Sequence, residues 1–184
     1  MNTVATPLTC WEEFLLLPDG PNGQRYELRD GEETAVPLPS PVHVYSEVIL
    51  VKLLTDLAKG QGRAAQEFPY RPAKNLQFWY ADVAYVPGND WKAMRNEEYP
   101  VYSPPLIVEI LSPSNKPEEI NRKRVAAFSC GTREFWLVDP KAQTIEVSMP
   151  GSTNRVYKPG EQVPISVLPE AFLPVSKLFD EAID

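Results

Sequence analysis

Leu106-Ile107-Val108-Glu109-Ile110-Leu111-Ser112 is a run of strand length, apolar except for one acid and a terminal serine, between Pro105 and Pro113. Near-continuous apolar character suits a central strand covered on both faces. Such a strand has no use for an unpaired carboxylate, because burying one is costly. Glu109 therefore asks for a partner. Upstream, Tyr80-Ala81-Asp82-Val83-Ala84-Tyr85-Val86 repeats the pattern with Asp82. Its aromatic and β-branched residues also favour a strand. Downstream, Pro117 to Gly131 reads as a helix with a C′ glycine and carries Arg122, Lys123 and Arg124. Glu134-Phe135-Trp136-Leu137-Val138-Asp139 follows as a further strand. The strand–helix–strand crossover from Ile107 to Val138 is expected to be parallel and right-handed.

The flanking chain completes a mixed α/β sheet with helices on its faces. Thr9 and Glu12 have capping-box spacing and predict a short helix from Cys10 to Leu17, stopped at Pro18-Asp19-Gly20. Tyr26-Glu27-Leu28 and Thr34-Ala35-Val36 flank Asp30-Gly31 as an N-terminal hairpin. Ser40-Pro41 is a cap and first-turn signature for a helix reaching Lys59. Its apolar stripe reads Tyr45, Val48, Ile49, Leu53, Leu54 and Leu57. Arg63 to Pro69 predicts a strand. Pro87 to Pro105 is a long polar loop with a turn or two of helix over Trp91 to Glu98. Thr144 to Met149 and Arg155 to Tyr157 form a C-terminal hairpin, Gln162 to Val167 an edge strand, and Val175 to Ala182 a last short helix.

Length and composition bound the rest. The 184 residues suit one domain over 1–184. Apolar residues at 43% and charged residues at 23% are ordinary globular usage, so a packed core is expected. The 20 prolines stand between elements and act as punctuation rather than as a linker. No apolar run reaches the ~20 residues of a membrane span. Met1 to Leu8 lacks an export signal, and Cys10 and Cys130 have no metal spacing, so a cytoplasmic, reduced chain is expected. A net charge of −7 argues against nucleic-acid binding over the whole surface, though not against a local basic groove. Lys116, Arg122, Lys123, Arg124 and Arg133 gather near the two acids, a pattern that a solvated face would also give.

Few chemistries remain. The only histidine, His43, reads as a capping or surface residue, and no nucleophile elbow, phosphate loop or dinucleotide fingerprint is present. Cys and His alone cannot build a zinc site. Asp82 and Glu109, mid-strand in neighbouring strands, could share a hard divalent ion such as Mg²⁺ or Mn²⁺. Lys123 shares a helical stripe with Ile120 and Ala127, which turns it toward the sheet. The competing reading has Lys123 reaching solvent and Glu109 paired with a core arginine.

The chain also resembles the Uma-type restriction endonuclease family of the PD-(D/E)XK nuclease superfamily. The resemblance spans Thr9-Cys10-Trp11-Glu12-Glu13-Phe14, Tyr26-Glu27-Leu28 with Gly31-Glu32, and Pro39-Ser40 with His43. It continues through Ala81-Asp82-Val83-Ala84, Pro105 to Ser114, and Lys123 through Pro140. It implies a restriction-endonuclease-like core and metal-dependent cleavage of nucleic acid, with DNA the expected substrate. Asp82, Glu109 and the Ile110 carbonyl would hold Mg²⁺ or Mn²⁺. Similar enzymes carry the catalytic lysine two residues after the glutamate, where this chain has Leu111. The family's migrated lysine would be Lys123, with Arg124 its rival if the register slips. Glu27 would be a supporting acid, and Lys116, Arg122 and Arg124 would contact phosphates. Ala81 stands where a proline is usual. A homodimer follows by analogy with nucleases that cut two strands. The alternative is a catalytically inactive nuclease-fold module that binds nucleic acid or a protein.

Overall fold

A computed structural model describes residues 8–18, 20, 23–113 and 115–180. The expectations for residues 1–7, for Asp19 in the first helix stop, for Ser114 and for a last helix reaching Ala182 fall partly or wholly outside these. The elements run α1 (Trp11–Phe14), β1 (Tyr26–Arg29), β2 (Glu32–Ala35), α2 (Pro41–Leu57), β3 (Gly62–Tyr70), β4 (Gln77–Pro87) and α3 (Gly88–Ala93). They continue with β5 (Leu106–Ile110), α4 (Pro117–Ser129), β6 (Glu134–Asp139), β7 (Thr144–Ser148), β8 (Arg155–Tyr157), β9 (Gln162–Pro164), β10 (Phe172–Pro174) and α5 (Val175–Asp180). The mixed α/β sheet read from the sequence is the observed architecture.

One sheet runs β2-β1-β4-β5-β6-β7-β8, with β3 also paired to β4. Only β5 and β6 are parallel, in register Glu109 to Leu137, and α4 is the crossover between them. All other pairs in this sheet are antiparallel. The long strand β4 forks the sheet. It pairs β3 from Trp79 to Pro87, β1 at Gln77 and Phe78, and β5 at Val83 to Tyr85. Between the last two, Trp79 to Asp82 forms no ladder pair with β1 or β5.

Two apolar layers cover the sheet. Ile49, Leu50, Leu53 and Leu54 of α2 pack with Val108, Ile110, Trp136 and Val138, and with Val175 and Leu178 of α5. On the other side, Ile120 and Ala127 of α4 pack with Ala81, Ile107 and Phe135. The four buried aliphatics of α2 contribute about 6–12 kcal/mol gross, at 1.5–3 each. Its Ser40 cap, which accepts from the His43 N–H at 3.3 Å, is worth only about 1 kcal/mol. Packing rather than the cap therefore fixes the helix.

Several boundaries differ from expectation. The first helix is a single turn, and its reciprocal cap is Glu13 accepting from the Cys10 N–H at 2.9 Å. Thr9 instead donates to Glu33 at 2.8 Å, which ties the turn to β2. The buried face of α2 is rotated from the predicted stripe. Val48 is exposed, whereas Ser46, Glu47 and Leu50 are buried. The edge strand at Gln162 is half of a hairpin with β10, which the sequence reading missed. Among the described residues no helix is long and apolar enough to cross a membrane.

Candidate active site

The fork in β4 holds the charged residues. Asp82 comes from β4, Glu109 from β5, Lys123 from α4, Glu27 from β1 and His43 from the first turns of α2. All five line one cleft of about 290 Å³, with Arg29, Glu67, Trp79, Tyr80 and Glu119 also in its wall. β4 is irregular at this point. Ala81 packs in the layer beneath α4, and Val83 in the layer beneath α2, although residues two apart in a regular strand share a face. Opposite Asp82, between the pairs Gln66↔Val83 and Phe68↔Ala81, stands Glu67 with a left-handed φ of 52°. Such lapses in pairing re-aim a side chain and are common beside active sites.

Backbone groups left free by the fork are met by side chains. The Tyr80 N–H donates to Glu27 Oε1 at 2.9 Å, and the Tyr80 carbonyl accepts from the Lys123 ammonium. The Ile110 N–H donates to Asp82 Oδ2 at 2.6 Å. Lys123 Nζ also donates to Glu109 Oε2 at 2.7 Å and lies 3.5 Å from Glu27 Oε1. Arg29 closes the far side. It donates to Glu27 at 2.8 Å and to Glu119 at 3.0 Å, and so links β1 to the start of α4. Glu27, Glu109 and Lys123 are 2%, 4% and 7% exposed, so these charges answer one another rather than water.

A second group meets the cleft through His43 and Asp82, with Glu47 buried beside them. His43 Nε2 lies 3.4 Å from Asp82 Oδ2 and 3.4 Å from Glu47 Oε1. One ligand atom from each of His43, Glu47 and Asp82 falls within 4.8 Å of the other two.

The field of so many acids shows in proton affinities. Burial pulls the His43 imidazole down, but Asp82 and then Glu47 outweigh it and push it up to about 10. Burial raises the Glu47 carboxyl. Glu109 is pushed up to about 8, chiefly by burial, with Lys123 opposing and Asp82 adding to the rise. Lys123 loses affinity to burial and regains more from Glu109, Glu27 and Asp82, so it is held as an ammonium.

The structure brings Asp82, Glu109, Lys123 and Glu27 together. Ile110 joins them through its N–H to Asp82. Lys123 points in, whereas Arg124 turns toward β7, donating to Ser148 at 3.0 Å and to Asn121 at 2.9 Å. Lys116 lies 3.5 Å from Glu119, and Arg122 lies 3.7 Å from Asp30. None of Lys116, Arg122 and Arg124 lines the cleft. Lys116 and Arg122 are exposed beside Glu119 and Asp30, and Arg124 lies 3.5 Å from Glu146, placements that sequence proximity to Lys123 does not reveal. His43 and Glu47 are the residues that sequence reasoning missed. Their signal was an imidazole and a carboxylate four apart on a helix, which share one face.

A family model described as Uma2, putative restriction endonuclease, matches residues 11–176. A crystal structure of a putative nuclease belonging to DUF820, from Anabaena variabilis ATCC 29413, is similar to this chain at 25% identity. That likeness covers 94% of this chain and 98% of the other, with a TM-score of 0.80. No curated protein matches.

Proposed function

Since the chain belongs to the Uma2 putative restriction endonuclease family, we propose that the cleft hydrolyses phosphodiester bonds of DNA with a divalent metal ion and a lysine-oriented water. The observation that carries this reading is the buried Lys123–Glu109 contact at 2.7 Å, in the same cleft as Asp82. It brings an ammonium from α4 to the glutamate whose own strand offers only Leu111.

The donor set fits a cation. Glu109 Oε1 and Glu47 Oε1 are buried acceptors with no hydrogen-bond partner among the described residues. A buried carboxylate oxygen left unpaired is costly, and a cation removes that cost. Asp82, Glu109 and the Ile110 carbonyl would hold the ion. When bound, it would supply charge stabilisation at the scissile phosphate and a more acidic water.

The protein's own groups do the rest. Lys123 keeps its proton, so it acts as a charge that orients water and steadies the developing anion, not as a base. Glu27 lies 3.5 Å from Lys123 Nζ, and Arg29 holds Glu27, so this pair fixes the ammonium's direction.

Supercoiled plasmid nicking tests the proposal. Asp82→Ala and Glu109→Ala should each cut nicking by at least about 10², the scale on which one electrostatic catalytic group acts. Full activity in both variants would overturn the assignment. The second reading is a non-catalytic module. It is favoured by Leu111, which stands where similar enzymes carry the lysine, and by the net charge of −7. It expects metal-independent binding to nucleic acid or to a protein partner, unchanged by Glu109→Gln.

A further inference from the structure

The five buried side-chain atoms without a hydrogen-bond partner among the described residues fall into two groups. Tyr70 Oη, Arg71 Nε and Trp91 Nε1 belong to residues that line an aromatic pocket of about 160 Å³ under α3. Glu97 and Glu98 are also in its wall, and they oppose the acceptor-bearing anions that such donors would attract. The other two atoms are Glu109 Oε1, on a residue that lines the active-site cleft, and Glu47 Oε1, on a residue beside His43 of that cleft's wall. They are not equivalent, and the difference points to a ligand.

Glu109 already has a cation, since Lys123 Nζ sits 2.7 Å from its other oxygen. That ammonium offsets part of the carboxylate's charge, so Glu109 draws a metal ion less strongly than an acid without a lysine beside it. Among the described residues Glu47 has no lysine or arginine beside it, and its one cationic neighbour is the His43 imidazole, whose proton a metal ion can displace. It is 1% exposed, and its Oε1 lies 3.4 Å from His43 Nε2 without making a hydrogen bond. Asp82 Oδ2 lies equally far from the same nitrogen. Helix α2 sets this arrangement. His43 and Glu47 are one turn apart on the face turned to the sheet, and Ser40 holds the His43 N–H at the helix start.

We propose that His43, Glu47 and Asp82 form a cation site of their own, which selects a transition-metal dication over Mg²⁺. The inference rests on the nuclease reading only in sharing Asp82 and the cleft with it. An imidazole nitrogen suits borderline metals, whereas Mg²⁺ prefers oxygen and sheds water reluctantly. Two carboxylates beside one imidazole offer two negative charges and one soft donor. The metal preference of this chain is then set by α2, not by the strand acids that the sequence made conspicuous.

His43 is the only histidine, so any imidazole signature on a bound metal reports on it. The test is calorimetric titration of the full, tag-free chain with Co²⁺ and with Mg²⁺ at about pH 8, where a metal that ligates His43 must displace the proton that Asp82 and Glu47 hold there. It is paired with proton NMR of the Co²⁺ form for a paramagnetically shifted imidazole N–H. Co²⁺ should bind at least about tenfold more tightly than Mg²⁺, with that resonance present. His43→Gln and Glu47→Gln should each weaken Co²⁺ at least about tenfold, and His43→Gln should leave Mg²⁺ within about twofold. Melting curves in EDTA establish that both variants are folded, and a variant that is not is replaced by His43→Asn or Glu47→Asp. Equal Co²⁺ and Mg²⁺ affinities, or Co²⁺ binding without the shifted resonance, would overturn the site while leaving the nuclease reading intact. Co²⁺ bound through His43 with no plasmid nicking in any metal would support the site and sink the nuclease reading.

Discussion

Lys123→Met keeps the length and apolar stem of the side chain and removes only the ammonium. In the native chain that group is 2.7 Å from Glu109 Oε2, 3.5 Å from Glu27 Oε1, and bonded to the Tyr80 carbonyl. Its loss leaves Glu109 in the core with neither oxygen paired, because Oε1 had no hydrogen-bond partner to begin with. Removing one side of a buried ion pair costs about 3–5 kcal/mol. The orphaned carbonyl would cost about 1–3 kcal/mol alone, but the two losses share one donor and overlap. A net loss of about 4 kcal/mol lowers Tm by roughly 8–16 °C in a chain of this size. Differential scanning calorimetry in EDTA reads it directly. The companion variant Lys123→Met/Glu109→Gln removes the stranded charge as well, and should be the more stable of the two by about 2 kcal/mol, within the range of coupling for contacting residues. Neither variant should nick plasmid. A single variant melting within about 1 °C of wild type, or a double variant no more stable than the single, would refute the reasoning. The ammonium would then not be what holds Glu109 in the core.

Three further outcomes follow from the same geometry. Glu134 is fully buried and accepts from Trp136 Nε1 at 2.8 Å and from the Val167 N–H at 3.1 Å, so Glu134→Ala orphans two donors and should cost about 2–5 kcal/mol in urea denaturation. Gly62→Ala would put a Cβ 2.4 Å from the Val86 carbonyl and 2.6 Å from the Tyr85 hydroxyl, an overpacking of about 1–3 kcal/mol visible in the same experiment. Arg122→Ala and Arg124→Ala should leave the salt dependence of DNA binding unchanged, where loss of a phosphate contact would lower its slope by about 1.

What the sequence made legible was charge out of place. Asp82 and Glu109 stand among β-branched and aliphatic neighbours, and Lys123 shares a stripe with Ile120 and Ala127, so all three could be read as turned inward. Glu47 was harder to read. It follows Tyr45 and Ser46 and precedes Val48, and a stripe drawn through Val48 leaves the acid on the flank. The structure rotates that stripe so that Leu50 is buried and Val48 is not, which carries Glu47 inward and His43 with it. The fork in β4 was not legible either. It depends on β1, β3 and β5 choosing stretches of one strand, and pairing between distant segments leaves no local mark. For the same reason Arg124, adjacent to Lys123 in sequence, belongs to a different neighbourhood in space.

The gap at Tyr80 has a consequence for how such a chain could change over time. Glu27, Lys123 and Asp82 supply hydrogen bonds to the backbone that a neighbouring strand would otherwise make. The proposed chemistry and the folding therefore draw on the same atoms. A substitution that silenced the cleft would also unpin the sheet at its branch point, so drift toward inactivity is opposed by stability even where no substrate is ever met. A silent descendant would need a second change that lets β1 and β5 meet along β4 and zip the branch shut. An open branch in a relative, with its three polar side chains in place, is in that sense a record of selection on the fold as much as on the reaction.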